Sequence, residues 1–274
     1  MGLADSVWLI FAAVGLLGGL SAGLFGIGGG SVMVPLLMLA FRFQELDARV
    51  AILLAVASSM VAMVAMEAMS AWTHNRHRAV RWGVVLAFAP GVVLGSFLGT
   101  RLAASMDGRL LLGLFVVFEA YVGTQLLLDI SPKPGRRLPH KTVQGAIGAA
   151  IGMASAMVGI GGGKFTVPYL IWHNLPLPKA IGTAAAVGVP LSLTAAIGYL
   201  TQTTSMALPE QTIGLAYLPA CLGIVAAGIP ASFLGAALAH RLPRRALRLL
   251  FGLALYAFAI QMGVELWNQL QPVA

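Results

Sequence analysis

GLFGIGGGSVMVPLL, residues 23–37, sets three consecutive glycines, with a fourth at Gly26, inside a strongly apolar stretch. A helix loses about 1 kcal/mol for each alanine exchanged for glycine, so the stretch reads as a deliberate break. Residues 157–170, MVGIGGGKFTVPYL, repeat it: Gly26 to Pro35 matches Gly159 to Pro168 at a constant offset. Close helix packing accounts for spaced glycines. It does not account for a consecutive triplet that occurs twice with a proline at the same distance beyond.

The surroundings of both motifs are membrane-like. The 274 residues are 59% hydrophobic and 9% charged, with a mean hydropathy of +0.89, against about 25% charged residues in soluble domains. Continuous apolar runs of about 20 residues exclude the alternation of a β-barrel and point to a polytopic helical membrane protein. The single Cys221 excludes a disulfide framework. The N-terminus MGLADSVWLIF lacks the basic region of a secretory signal, and its apolar run reads as the first membrane helix. The net charge of +8 sits in short loops, where topology explains it without nucleic acid.

Ten helical segments are expected, near 7–24, 31–41, 46–71, 83–104 and 109–129, then 141–158, 164–173, 178–200, 211–239 and 244–268. The two that follow the glycine triplets are too short to cross about 30 Å of hydrocarbon. GSFLGTRLA (95–103) resembles ASFLGAALA (231–239), so the duplication extends along the chain. The expected fold is all-α, with two repeats at 1–132 and 133–274. Each repeat holds a broken hairpin, with its glycine motif at the tip, and three transmembrane helices.

Charge sets the orientation of the repeats. Loop 72–82 carries Arg76, Arg78, Arg81, His74 and His77. Loop 130–142 carries Lys133, Arg136, Arg137 and Lys141, and loop 240–248 carries Arg241, Arg244, Arg245 and Arg248. Loop 201–212, at the place in the second repeat that 72–82 holds in the first, has only Glu210. The positive-inside rule puts these equivalent loops on opposite sides. The repeats are then inverted, and both termini lie outside.

Paired discontinuous helices in inverted repeats point to a transporter site. A helix that starts after glycines presents free N–H groups and partial positive charge to an anion. The site residues expected on this basis are Gly26, Gly28, Gly29, Gly30 and Ser31 in the first motif, and Gly159, Gly161, Gly162, Gly163 and Lys164 in the second. Thr166 is a further donor. Lys164 is the one Lys or Arg expected within the membrane, facing the pathway, snorkelling or pairing with a glutamate. Ser58, Ser59 and Thr183 either add hydroxyl donors to the site or bond their own helices. Glu67 and Glu119 are buried carboxylates. Glu119 suits proton coupling, with partnership to Lys164 as the alternative.

The duplicated GIGGG…VP, HNRHRAVRWG (74–83), GSFLGTRLA, AVASSM (55–60) and KAIGTAAAVGVPLSL (179–193) together resemble the sulfite exporter TauE/SafE family, also called the toluene-sulfonate uptake permeases. The resemblance spans about residues 8 to 265. It implies transport of sulfur-containing anions such as sulfite, sulfoacetate, other organosulfonates or thiosulfate in a bacterial or archaeal inner membrane. It also implies that the glycine motifs, Ser58, Ser59, Gly182 and Thr183 belong to the site segments. AVASSM departs from the family in having Ala-Ser-Ser where Thr-Ser is usual, and Lys164 is not a family signature.

The expected function is therefore secondary transport of a small sulfur-containing anion by alternating access, with no cofactor. The expected partners are that anion and the lipid bilayer, and the sequence does not set the oligomeric state. GIGGGK continues with Phe165 and so lacks the P-loop pattern, which excludes ATP as an energy source within the chain. An anion channel would use the same backbone site. An intramembrane enzyme is disfavoured, because His74, His77, His140, His173 and His240 lie near loop ends. A cation transporter would need more carboxylates.

Overall fold

The computed structural model describes residues 3–25, 29–130, 134–204, 206–239 and 244–271. Among the described residues there are ten helices, in order α1 (Leu3–Phe25), α2 (Gly30–Phe43), α3 (Ala48–Arg76), α4 (Trp82–Ser105), α5 (Gly108–Leu127), α6 (Lys141–Val158), α7 (Gly163–Trp172), α8 (Leu177–Leu200), α9 (Leu218–Ala239) and α10 (Arg244–Leu270). Six of them, α3, α4, α5, α8, α9 and α10, are long and apolar enough to cross a membrane. With 14 and 10 residues, α2 and α7 extend only about 21 and 15 Å.

Two expectations need correction. Residues 211–217 are not helical: Thr212–Ile213 (β1) and Ala216–Tyr217 (β2) form a small antiparallel hairpin, turned by Gly214 at φ +58. The α3 helix also does not stop near residue 71 but runs to Arg76, so the basic loop after it is shorter than 72–82. Lys133 and Arg241, assigned to basic loops, lie outside the described residues.

The most extensive helix pairings join one part of the chain to the other. They are α1 with α9, α4 with α6, α5 with α10, and α3 with α8. Small residues allow the first two. The backbone of α4 at Gly91, Gly95 and Gly99 lies directly on Gly145, Ala149 and Met153 of α6, where a methyl group would meet carbonyl oxygens. Gly15 and Gly19 of α1 meet Ile224 and Gly228 of α9 in the same way. The core is centred on α3, whose Ala51–Ala57 segment is almost completely buried.

Contacts at the helix ends sort the loops into two groups. In one group Arg42 pairs with Glu265 at 3.3 Å and Arg49 with Asp107 at 3.9 Å. Arg101, Ser105, Gln202 and Thr204 line a shared cavity of about 310 Å³. In the other group Arg248 pairs with Asp129, and the Arg136 guanidinium stacks on Trp172 at 4.1 Å. The backbone N–H of Arg81 donates to the Thr183 hydroxyl at 3.0 Å. This second group holds the described basic residues of the three loops.

Candidate anion site at the helix breaks

The two glycine motifs meet inside the protein. The α6 helix ends at Gly159, a left-handed cap at φ +75, and a side chain there would press on Val34, Ser59 and Val56. A Cβ at Gly30 would stand 2.5 Å from the Gly159 carbonyl oxygen and 2.8 Å from Ile160 Cα. The Ser59 hydroxyl donates to the Gly159 carbonyl at 3.1 Å as well as to Val56 within its own helix at 2.8 Å. Gly26 and Gly28 lie outside the described residues. Gly29, Gly30, Gly161, Gly162 and Gly163 are all buried at the breaks.

The helices that follow begin without side-chain caps. Gly29 and Gly162 are the N-cap residues of α2 and α7, and neither offers an acceptor to the first-turn N–H groups. Each helix runs through its proline, Pro35 or Pro168. A proline has no N–H to give the carbonyl four residues back. The carbonyls of Ser31 and Lys164 thereby lose their usual partner.

Side chains from four helices, α2, α5, α7 and α10, converge here. Lys164 is 7% exposed, and its Nζ lies 4.0 Å from Oε1 of the fully buried Glu119 on α5. Rings of Phe118 and Phe251 flank the ammonium at 5.7 and 5.6 Å. The Ser31 hydroxyl lies beside the Glu119 carboxyl without completing a hydrogen bond. Among the described residues, Lys164 Nζ, both Glu119 carboxyl oxygens, Ser31 Oγ, Thr166 Oγ1 and Ser155 Oγ are all buried without a hydrogen-bond partner. Those of Lys164, Glu119 and Ser31 stand together, a grouping that is unusual in a protein interior. Of the residues expected from sequence, Ser31, Lys164 and Glu119 come together at this point.

Ser58 and Thr183 do not join them. The Ser58 hydroxyl accepts from the Tyr217 backbone N–H at 3.0 Å, and Thr183 accepts from that of Arg81. Each thus caps the residue before a helix of the opposite part of the chain, α9 for Ser58 and α4 for Thr183. Ser155, which the sequence does not single out, lies one turn before the Gly159 cap, whose N–H its carbonyl accepts.

The comparisons agree with a membrane transporter. The family model described as "Sulfite exporter TauE/SafE" matches residues 11–262. A probable membrane transporter protein of Haemophilus influenzae is 32% identical over 259 residues, covering 94% of this chain and 98% of its own length. One from Xylella fastidiosa is 29% identical, covering 92% and 93%. One from Methanocaldococcus jannaschii is 26% identical, covering 86% and 88%. No solved structure matches the chain.

Proposed function

The chain belongs to the sulfite exporter TauE/SafE family of membrane transporters, and on that premise we propose that it is a secondary transporter. Its substrate is a small sulfur-containing anion: sulfite, an organosulfonate such as sulfoacetate, or thiosulfate. The observation that carries this reading is the buried Lys164 ammonium at the start of α7, loosely held by Glu119 and lacking a hydrogen bond. Ser31 sets an unspent hydroxyl beside the pair, and α2 and α7 begin at uncapped N-termini. A tetrahedral or pyramidal oxyanion offers several acceptors to such a set. Glu119 holds Lys164 until the anion arrives. Once released, its carboxyl is a place for a coupling proton.

Alternating access follows if 1–132 and 133–274 are inverted repeats that rock against each other across the glycine tips. Two observations support that arrangement: the helix pairings between the parts, and the concentration of Lys and Arg in one group of loops. By the positive-inside rule those loops face the cytoplasm of a bacterial or archaeal inner membrane, with both termini outside.

The test is flux into proteoliposomes with sulfite, thiosulfate and sulfoacetate, and with taurine, sulfate and acetate as comparisons. Saturable uptake of at least one sulfur oxyanion is expected. No response to any anion refutes the proposal, and non-saturating flux that ignores pH favours a channel.

A further inference from the structure

Glu67 lies further along α3 and takes no part in the arrangement above. Its carboxyl is wedged between glycines of two different elements. A Cβ at Gly161, in the second glycine loop, would stand 2.5 Å from Glu67 Oε1, and one at Gly188 of α8 would stand 2.7 Å from the carboxyl carbon. With no side chain on either neighbour, the carboxyl rests directly on the backbone that leads into α7. Among the described residues it makes neither an ion pair nor a hydrogen bond. It keeps 7% of its surface open, so it is not sealed off.

The other ionisable groups on the neighbouring elements stand elsewhere. Lys164 of α7 and Glu119 of α5 face each other. Tyr199 of α8 donates to the Ala156 carbonyl, and Cys221 of α9 to that of Ser58. His74, on the same helix, lies against Gly182 near the basic loops, and Lys179 stands at the start of α8.

A carboxylate with neither donor nor cation is costly in such surroundings, and a proton removes the cost. Its position also sets it at the loop that opens α7, where negative charge is favoured. A charged Glu67 therefore takes the electrostatic place of an incoming anion on the α3–α8 side of the loop, and a neutral one vacates it. We propose that Glu67 is a proton-binding site on the second glycine loop whose protonation admits the substrate anion, so that proton and anion enter together. The proton passes from water to a carboxylate oxygen, and no other bond changes. This inference deepens, and rests on, the anion-transport reading.

Infrared difference spectra across pH read the proton directly. They are taken on the full chain in lipid vesicles, comparing Glu119→Gln with the Glu67→Gln/Glu119→Gln pair. A buried-carboxyl band that titrates in the first and vanishes in the second is expected. A band that persists in the double variant, or is missing from both, overturns the assignment. Coupling is read from uptake of sulfite, thiosulfate and sulfoacetate with acid outside. Acid stimulation in the wild type that flattens in Glu67→Gln and returns in Glu67→Asp is expected. Stimulation retained in Glu67→Gln, or driven by sodium instead of protons, overturns it. Should Glu67→Gln fail to fold, Glu67→Asp withdraws the carboxyl from the loop and shifts the midpoint of the band; an unmoved midpoint counts against the site. If the band behaves as expected and none of the three anions is transported, the transport reading falls and the proton site stands.

Discussion

The Ser59 hydroxyl donates to the Gly159 carbonyl at 3.1 Å, tying the central α3 helix to the left-handed glycine that opens the second motif. Ser59→Ala removes that bond, and a buried hydrogen bond contributes about 1 kcal/mol. The expected result is a modest fall in thermal unfolding temperature with the fold retained. Gly159→Ala is expected to be worse, by about 1–3 kcal/mol, because it combines a strained φ with contact on Val34 and Val56. Equal stability of the two variants would mean that Gly159 is not conformationally required.

Lys164 and Glu119 form a buried pair, so removing one partner leaves an uncompensated charge. Lys164→Met is expected to destabilise by about 3–5 kcal/mol. The Lys164→Met/Glu119→Gln pair is expected to recover most of that loss without recovering anion binding. Thermal unfolding with and without sulfite or thiosulfate measures both terms. Anion stabilisation that survives in the double variant removes Lys164 from the site.

The contact between the tips predicts a packing-sensitive position. Gly30→Ala places a methyl group against the Gly159 carbonyl and Ile160, an overpacking that costs about 1–3 kcal/mol. Uptake in proteoliposomes is expected to fall more than expression does. Wild-type uptake would show that the tips separate easily.

Orientation is open to direct labelling, because the one cysteine of the sequence, Cys221, is buried. Cysteines placed at Arg78 and at Thr203 are expected to react with an impermeant maleimide from opposite sides of the membrane. Reaction from the same side ends the inverted-repeat proposal.

Much of this arrangement is visible in the sequence. Apolar run length locates eight of the ten described helices, because desolvation of the backbone leaves few alternatives in lipid, and the glycine triplets locate α2 and α7. The hairpin at 212–217 escapes that logic: it is short, and its pairing depends on Gly214 and on Ser58 from another helix. The fate of Ser58 and Thr183 is equally hidden, since their partners Tyr217 and Arg81 lie far away along the chain. The sequence leaves open whether Lys164 faces a pathway or a glutamate, and the fold brings Glu119 within 4.0 Å of it. The cradle around Glu67 needs Gly161 and Gly188 to be neighbours, which no local pattern announces.

The pairing of α1 with α9 and of α4 with α6 bears on how such a chain arose. A polypeptide ending near residue 132 would expose its glycine-lined helix faces to lipid, with their natural complements missing. If the two parts are inverted repeats, its simplest remedy is a second copy of itself, threaded through the bilayer the opposite way. An ancestor of that length would then have worked only as a pair of upside-down twins, and fusing them would have fixed one orientation for each and freed Ser31 and Lys164 to diverge.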